Sequence, residues 1–257
     1  MEHKISPTGS IIPRWITKSY FNFGIELNHS ELIIIMFMLG DDLIDQNRDL
    51  ARQTLAELID NTKFNEIIKS EVGDRLFSIT SHEHFYGQMC YARTIDNILS
   101  YFKEILGEVI LKKPQILKSK EAERLDFILN FNTIEELILA VVEKKVEQLF
   151  YGGINDIKAF FNDRLGIQLF KTDIDEKAFS LAVKNRNLIV HNRGIVNKNY
   201  IKDFPEFQPL EGESLSFEYG DLSSNNVLFN NFIALLDYEI ASKFDLDVSE
   251  NSAFNIW

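Results

Sequence analysis

One segment of the chain concentrates residue types able to act on a phosphate: Lys184-Asn-Arg-Asn-Leu-Ile-Val-His-Asn-Arg-Gly194. A histidine takes up or releases a proton near neutral pH and suits general acid–base work. An arginine offers a planar, bidentate hold on a phosphate. The interval from Leu181 to Lys202 holds Lys184, Arg186, Arg193, Lys198 and Lys202 and no acidic residue. In a chain of net charge −12 it is a basic island, where a phosphate would be met. Lys184, Arg193, Lys198 and Lys202 are therefore the candidate phosphate-binding residues, and Arg186 and His191 the candidates for the chemistry.

These residues need a rigid support. The pattern predicts a helix from Asp173 to His191, closed by Gly194 as its C-cap. Leu188, Ile189 and Val190 would pack inward and hold the helix end. Asn187 and His191, four apart, share a face. Arg186 and His191, five apart, point about 140° apart around the axis. One helix thus offers half a cleft, and a second copy could complete it. His191 in the last turn sits where the helix dipole favours the imidazolium. The same spacing also fits a plain surface helix, with His191 as a capping residue and Arg186 as an ion-pair partner.

The remaining chain reads as helical. Five prolines and twelve glycines in 257 residues leave room for long helices, and 45% hydrophobic residues allow a sizeable core. Twenty-one phenylalanines imply a core rich in aromatic rings. Residues 1–29 look irregular, and a helix is expected to start at Ser30. Tyr91, Ile95, Ile98, Leu99, Phe102, Ile105 and Leu106 recur at helical spacing within 81–111. A second helix fits 118–130. A third opens at Thr133-Ile-Glu-Glu136 with capping-box spacing. A last helix is expected over 226–243, with Leu228, Phe232, Leu235, Leu236 and Ile240 inward. The stretch 214–219 alternates enough for one short strand. The fold class is all-α, with at most one short strand or hairpin near 213–219. The domain division is an N-terminal helical extension over 1–76, a helical domain over 77–245 and a C-terminal tail over 246–257. Gly73-Asp74 is the first strong break.

Several classes are disfavoured. The apolar run Leu32–Leu39 is shorter than the ~20 residues of a membrane span and reads as a buried helix segment, so no membrane partner is expected. The single cysteine, Cys90, excludes an intrachain disulfide and suits the cytoplasm. Its ordinary role is that of a small buried hydrophobe. No P-loop, dinucleotide fingerprint or serine elbow is present, and no cofactor is expected. His82 and His84 flank Glu83 without a third ligand nearby, too few for zinc. Asp41, Asp42 and Asp45 read as a solvated acidic cluster; no metal is expected.

The run Arg186-Asn187-Leu-Ile-Val-His191, followed by Asn192-Arg193-Gly194-Ile-Val-Asn197 and Tyr200, resembles the signature of HEPN-domain proteins. The flank is similar to the subgroup found beside bacterial defence and toxin systems, and the resemblance extends over roughly residues 80–245. It implies a HEPN-like helical bundle that pairs into a homodimer with the two motifs facing each other. It further implies a metal-independent endoribonuclease with an RNA substrate, and an antitoxin or defence-system protein as a further partner. Arg186 and His191 would be catalytic, Asn187 the supporting polar residue and Asn192, in the flank, a further supporting residue. The RNA 2′-hydroxyl would attack its own phosphate, giving a 2′,3′-cyclic phosphate and a 5′-hydroxyl. Asp96 aligns with an acidic residue that members place near the motif, and reads equally as a surface acid. Members silenced by a partner nucleotidyltransferase usually carry a tyrosine two residues after the histidine; here Arg193 stands there. A non-catalytic HEPN module, or a subunit of a larger defence complex docked through residues 1–76, is the alternative.

Overall fold

The computed structural model describes residues 2–58, 83–117, 124–151 and 153–255, with residues 63, 66, 67 and 70 between the first two stretches. The Gly73-Asp74 break, the 76/77 division, residues 118–123 of the expected second helix and His82 lie outside the described residues. So do the side chains of Asp41, Asp42, Asp45 and Glu83.

The protein is all-α with minor strands. Three short strands come first: β1 (His3–Ile5), β2 (Ile11–Pro13) and β3 (Trp15–Ile16). The helices follow: α1 (Lys18–Gln46), α2 (Arg48–Leu58), α3 (Glu83–Lys112), α4 (Leu125–Ile128), α5 (Ile134–Tyr151) and α6 (Ile154–Phe160). Then come α7 (Asp173–Asn192), α8 (Lys198–Asp203), α9 (Tyr219–Phe244) and the last strand β4 (Ser249–Glu250). β1 pairs with β2 and β3 with β4, both antiparallel.

The chain groups into two units. Unit 1 is Met1–Glu26, Ile95–Val183 and Asn225–Trp257; unit 2 is Leu27–Thr94 and Lys184–Ser224. The segments interleave, so residues 2–26 belong with the middle and end of the chain rather than forming an extension of their own.

Unit 1 is built on an aromatic cluster. Phe102 and Phe161 are fully buried, and their ring centroids lie 5.8 Å apart. Phe179 and Phe232 join them, and Phe170 stacks on Phe232 at 6.0 Å. The α3 face expected from periodicity is the buried one, with Ile95, Ile98, Phe102, Ile105 and Leu106 wholly inaccessible. The capping signal at Thr133 also matches: its Oγ1 accepts from the Glu136 N–H at 3.2 Å.

Elsewhere the fold differs from the expectations. α1 starts at Lys18, not Ser30, because Thr17 caps it through the Tyr20 N–H at 3.1 Å. α9 starts at Tyr219, not near 226; it buries Leu236 and Ile240 as expected, but also Ile233, while Leu228 and Leu235 are exposed. The expected strand near 213–219 is reduced to one bridge, Ile195 to Ser214. Paired strands lie at the chain ends instead. The stretch expected as a C-terminal tail is tied in by β4, and the Asn251 N–H donates to Arg14 O at 2.8 Å. Finally, the run Leu32–Leu39 is not buried: Ile34 is, but Leu32, Ile33, Ile35, Met36, Met38 and Leu39 are exposed.

A buried polar network anchors the start of α1 within unit 1. The Asp237 carboxylate, 1% exposed, accepts from Thr17 Oγ1 at 2.5 Å, Thr17 N at 3.2 Å and Tyr101 Oη at 3.1 Å. Beside it, the Ser19 N–H donates to Glu108 Oε1 at 2.9 Å and Tyr20 Oη donates to Asn230 Oδ1 at 3.0 Å. Burial pushes Asp237 up from 3.8 to about 6, against the pull of its three donors. The folded state therefore holds this proton more tightly than the unfolded chain does. The resulting contribution to stability is full below the unfolded value and is lost as pH rises through about 6. Asp237→Asn cannot ionise, so its stability curve serves as the reference. Relative to it, the wild type should lose on the order of 2–3 kcal/mol between about pH 4 and about pH 7 in urea titrations. Parallel curves for the two proteins would refute this.

Candidate active site

The last nine of the twenty residues of α7, from Lys184, lie in unit 2. The helix opens on a reciprocal cap: the Asp175 N–H donates to Thr172 Oγ1 and the Thr172 N–H to Asp175 Oδ2, each at 3.1 Å. Acidic residues fill its first turn and His191 its last, matching the helix dipole at both ends.

Asn185 sets the rotation of the motif. Its side chain is 7% exposed. Tyr200 Oη donates to its Oδ1 at 2.5 Å, and its Nδ2 donates to Tyr91 Oη at 3.4 Å. Tyr200 is fully buried, and desolvation pushes its hydroxyl up to about 12. Asn197 caps α8 by accepting the Tyr200 N–H at 3.0 Å, which places Tyr200 for that contact. Asn185 is buried with Leu188 on one face, so Asn187 and His191 emerge exposed and Arg186 half-buried. Arg186 Nη1 donates to Asn187 Oδ1 at 3.0 Å. Of the three apolar residues expected inward, Leu188 is buried, Ile189 is half-buried and Val190 is 50% exposed.

The motif's exit is clamped to a neighbouring loop. The Leu215 N–H donates to Gly194 O, the Val196 N–H to Glu213 O and the Gly212 N–H to Val196 O, each at 2.9 Å. Buried Gln88 on α3 holds the same loop, donating to Leu215 O at 2.7 Å and Ser214 Oγ at 2.8 Å. Tyr91 stacks on Phe217 at 4.1 Å. Two glycines permit this approach. A Cβ on Gly87 would fall 2.4 Å from Phe217 O, and one on Gly194, which has φ +73°, would fall 2.3 Å from Gln88 Nε2. Asn192 closes the turn by donating from Nδ2 to Ile195 O at 2.5 Å, so its side chain serves the helix end. The left-handed residue that ends the helix is Arg193, φ 55°, followed by Gly194.

The basic island is thinner than its sequence. Lys184 Nζ pairs with Asp203 Oδ2 at 2.5 Å, and that lysine holds the Asp203 carboxyl below its usual range. Arg193, Lys198 and Lys202 are exposed. Asp96 is half-buried and belongs to unit 1, not to the unit that carries the motif. Cys90 is buried and its thiol is pushed up by desolvation. Among the described residues no group of three or more His, Cys, Asp and Glu is arranged to hold a metal ion.

Two side chains that position the motif, Asn185 and Gln88, were not singled out by the sequence, and Tyr91 was read only as part of the inward face of α3. Asn185 carries a legible signal, since it falls three residues from both Ala182 and Leu188 on the inward stripe of α7. Gln88 and Tyr91 gain their meaning only from the loop that folds back onto α3. No family model, no curated protein and no solved structure matches the chain.

Two outcomes are expected. Asn185→Ala strands the buried Tyr200 hydroxyl and should cost about 2 kcal/mol, whereas Tyr200→Phe in that background should cost little more. Additive losses in urea unfolding would contradict the pairing. Arg193→Gly relieves a left-handed arginine and should stabilise the protein by about 1 kcal/mol. A lower melting temperature for that variant would contradict the strain.

Proposed function

We propose that the chain is a metal-independent endoribonuclease of the HEPN type, acting as a toxin or anti-phage effector in the cytoplasm. Its active site is completed by a second copy. The observation that carries this reading is the fixed end of α7, where Asn185 and Gly194 leave His191 exposed and Asn187 orients Arg186.

In this reading the RNA 2′-oxygen bonds to phosphorus and the P–O5′ bond breaks. The 2′-hydroxyl proton leaves to a base and the 5′-oxygen takes one up, so a cyclic phosphate and a 5′-hydroxyl result. His191 moves the proton, and Arg186 stabilises the charge that builds on the phosphate oxygens. Arg193, Lys198 and Lys202 hold the flanking backbone.

The Lys184–Asp203 pair favours a second reading, because it removes one cation from the RNA-binding surface. That reading is a non-catalytic HEPN module, or a subunit of a larger defence complex, that binds RNA or a protein partner.

The test is incubation of purified protein with RNA and tRNA in the presence of a chelator, followed by end-group analysis. Cleavage leaving 2′,3′-cyclic phosphates is expected, falling about 100-fold or more in His191→Ala with an unchanged melting temperature. Intact RNA with the wild type, and binding that survives His191→Ala, would replace the first reading with the second. Cleavage abolished by the chelator would overturn the metal-independent mechanism.

A further inference from the structure

Lys184 and His191 lie seven residues apart on α7, close to two full turns. Lys184, Asn187 and His191 therefore run along one face of the helix, with the lysine about 10 Å before the histidine. Arg186 leaves the same helix on a different side. Lys184 is thus the cation in line with the imidazole of its own copy, where a phosphate backbone running along that face would meet it.

That lysine is held by an acid of the same unit. Lys184 Nζ lies 2.5 Å from Asp203 Oδ2, and the two side chains are 38 and 47% exposed. The register of the pair is built in. The buried hydrogen bond from Tyr200 to Asn185 sets α8 against α7. Lys184 directly precedes Asn185, and Asp203 lies three residues beyond Tyr200, on the side of α8 that faces α7. The hydrogen bond and charge of Lys184 hold the Asp203 carboxyl below its usual range, and neighbouring Lys202 acts in the same direction. Asp203 is therefore ionised at neutral pH and offsets two cations of the basic island at once.

The pair is suited to exchange. An ion pair open to water is worth little and weakens with salt. A phosphate oxygen offers an ammonium the same kind of charged acceptor as a carboxylate oxygen does. Replacing one by the other needs only side-chain rotation, with α7 and α8 kept in place by the Asn185–Tyr200 contact. After the exchange Asp203 stays ionised within a Debye length, about 8 Å at physiological salt, of the phosphate that displaced it. Like charges at that range lower affinity without blocking the face.

We propose that Asp203 is a built-in competitor for the RNA backbone: it occupies Lys184, and RNA binds along the His191 face by displacing its carboxylate from that lysine. This inference rests on the RNA-binding part of the reading above and does not need the cleavage part.

The test measures binding of a fluorescent single-stranded oligonucleotide of mixed sequence, fully 2′-O-methylated so that no 2′-hydroxyl can attack. Fluorescence anisotropy of the full chain is followed over a salt series. Asp203→Asn should tighten binding about 5-fold at low salt and steepen the slope of log affinity against log salt by about 0.7, the increment for one further phosphate contact on a single strand. Asp203→Ser, a second replacement at the same exposed position, should do the same, and neither should change the melting temperature by more than a few degrees. Adding Lys184→Ala to Asp203→Asn should remove the gain. Glu218→Gln removes an exposed acid of the same unit with the same change in net charge, and should alter affinity by less than about 2-fold. Wild-type binding that Asp203→Asn and Asp203→Ser leave unchanged would overturn the competition. So would a gain matched by Glu218→Gln, or one that survives Lys184→Ala. No binding by the wild type or any variant at low salt would overturn the RNA reading itself, and this proposal with it.

Discussion

The amide of Asn185 joins three helices of unit 2 at one buried point. It lies on α7, takes the Tyr200 hydroxyl of α8 and gives a hydrogen to the Tyr91 hydroxyl of α3. A buried amide without partners costs a few kcal/mol, so the helix is confined to rotations that satisfy it. With Leu188 buried three residues on, the phase of the last turns of α7 is determined. Arg186, Asn187 and His191 reach the surface as a consequence. The exit is held independently by the ladder between 194–196 and 212–215, where only a glycine at 194 leaves room for the Gln88 side chain. A side chain on a helix that is fixed at both places keeps its aim with little reorganisation.

Unit 1 uses polar burial differently. Its hydrophobic cluster of phenylalanines is held by burial and ring contacts rather than by hydrogen bonds. The Asp237 carboxylate is held by hydrogen bonds, since its three donors come from Thr17 and Tyr101 at fixed angles. The network therefore decides where α1 begins and how the first residues of the chain meet the last helix. Its cost is the desolvation that raises the Asp237 pKa. Specificity of docking, rather than net stability, is what such a carboxylate contributes.

Local signals were legible in the sequence and long-range ones were not. The buried face of α3 follows from its own periodicity, and the Thr133 cap from four consecutive residues. α1 was expected to start at Ser30 because serine is a good N-cap; Ser30 is instead buried inside the helix, and Thr17 caps it. The strands β3 and β4 pair residues more than two hundred positions apart, and neither is long enough to show alternation. On α9 Leu236 and Ile240 are buried as expected, but the choice of Leu228 and Leu235 as inward residues counted hydrophobicity without a partner surface, and Ile233 meets the core in their place. In the motif, the residue types were readable but the support was not. Gln88 has no apolar pattern to join, and Lys184 looked available because its partner Asp203 lies just past the basic interval.

Helix geometry limits what one copy of the motif can do. Five residues along α7 separate the Cα atoms of Arg186 and His191 by roughly 9 Å, and the side chains leave the axis about 140° apart. A proton-transferring group and a charge-stabilising group must both come within about 3 Å of atoms on one phosphate. Diverging side chains on one straight helix satisfy this poorly, which is why the proposed reaction draws its groups from two copies. The link between Arg186 and Asn187 turns the guanidinium toward a residue on the His191 face. Electrostatics points the same way. With Lys184 engaged by Asp203, each motif has fewer cations to set against a chain of net charge −12, and a site shared by two motifs would double the local cation count around the same phosphate.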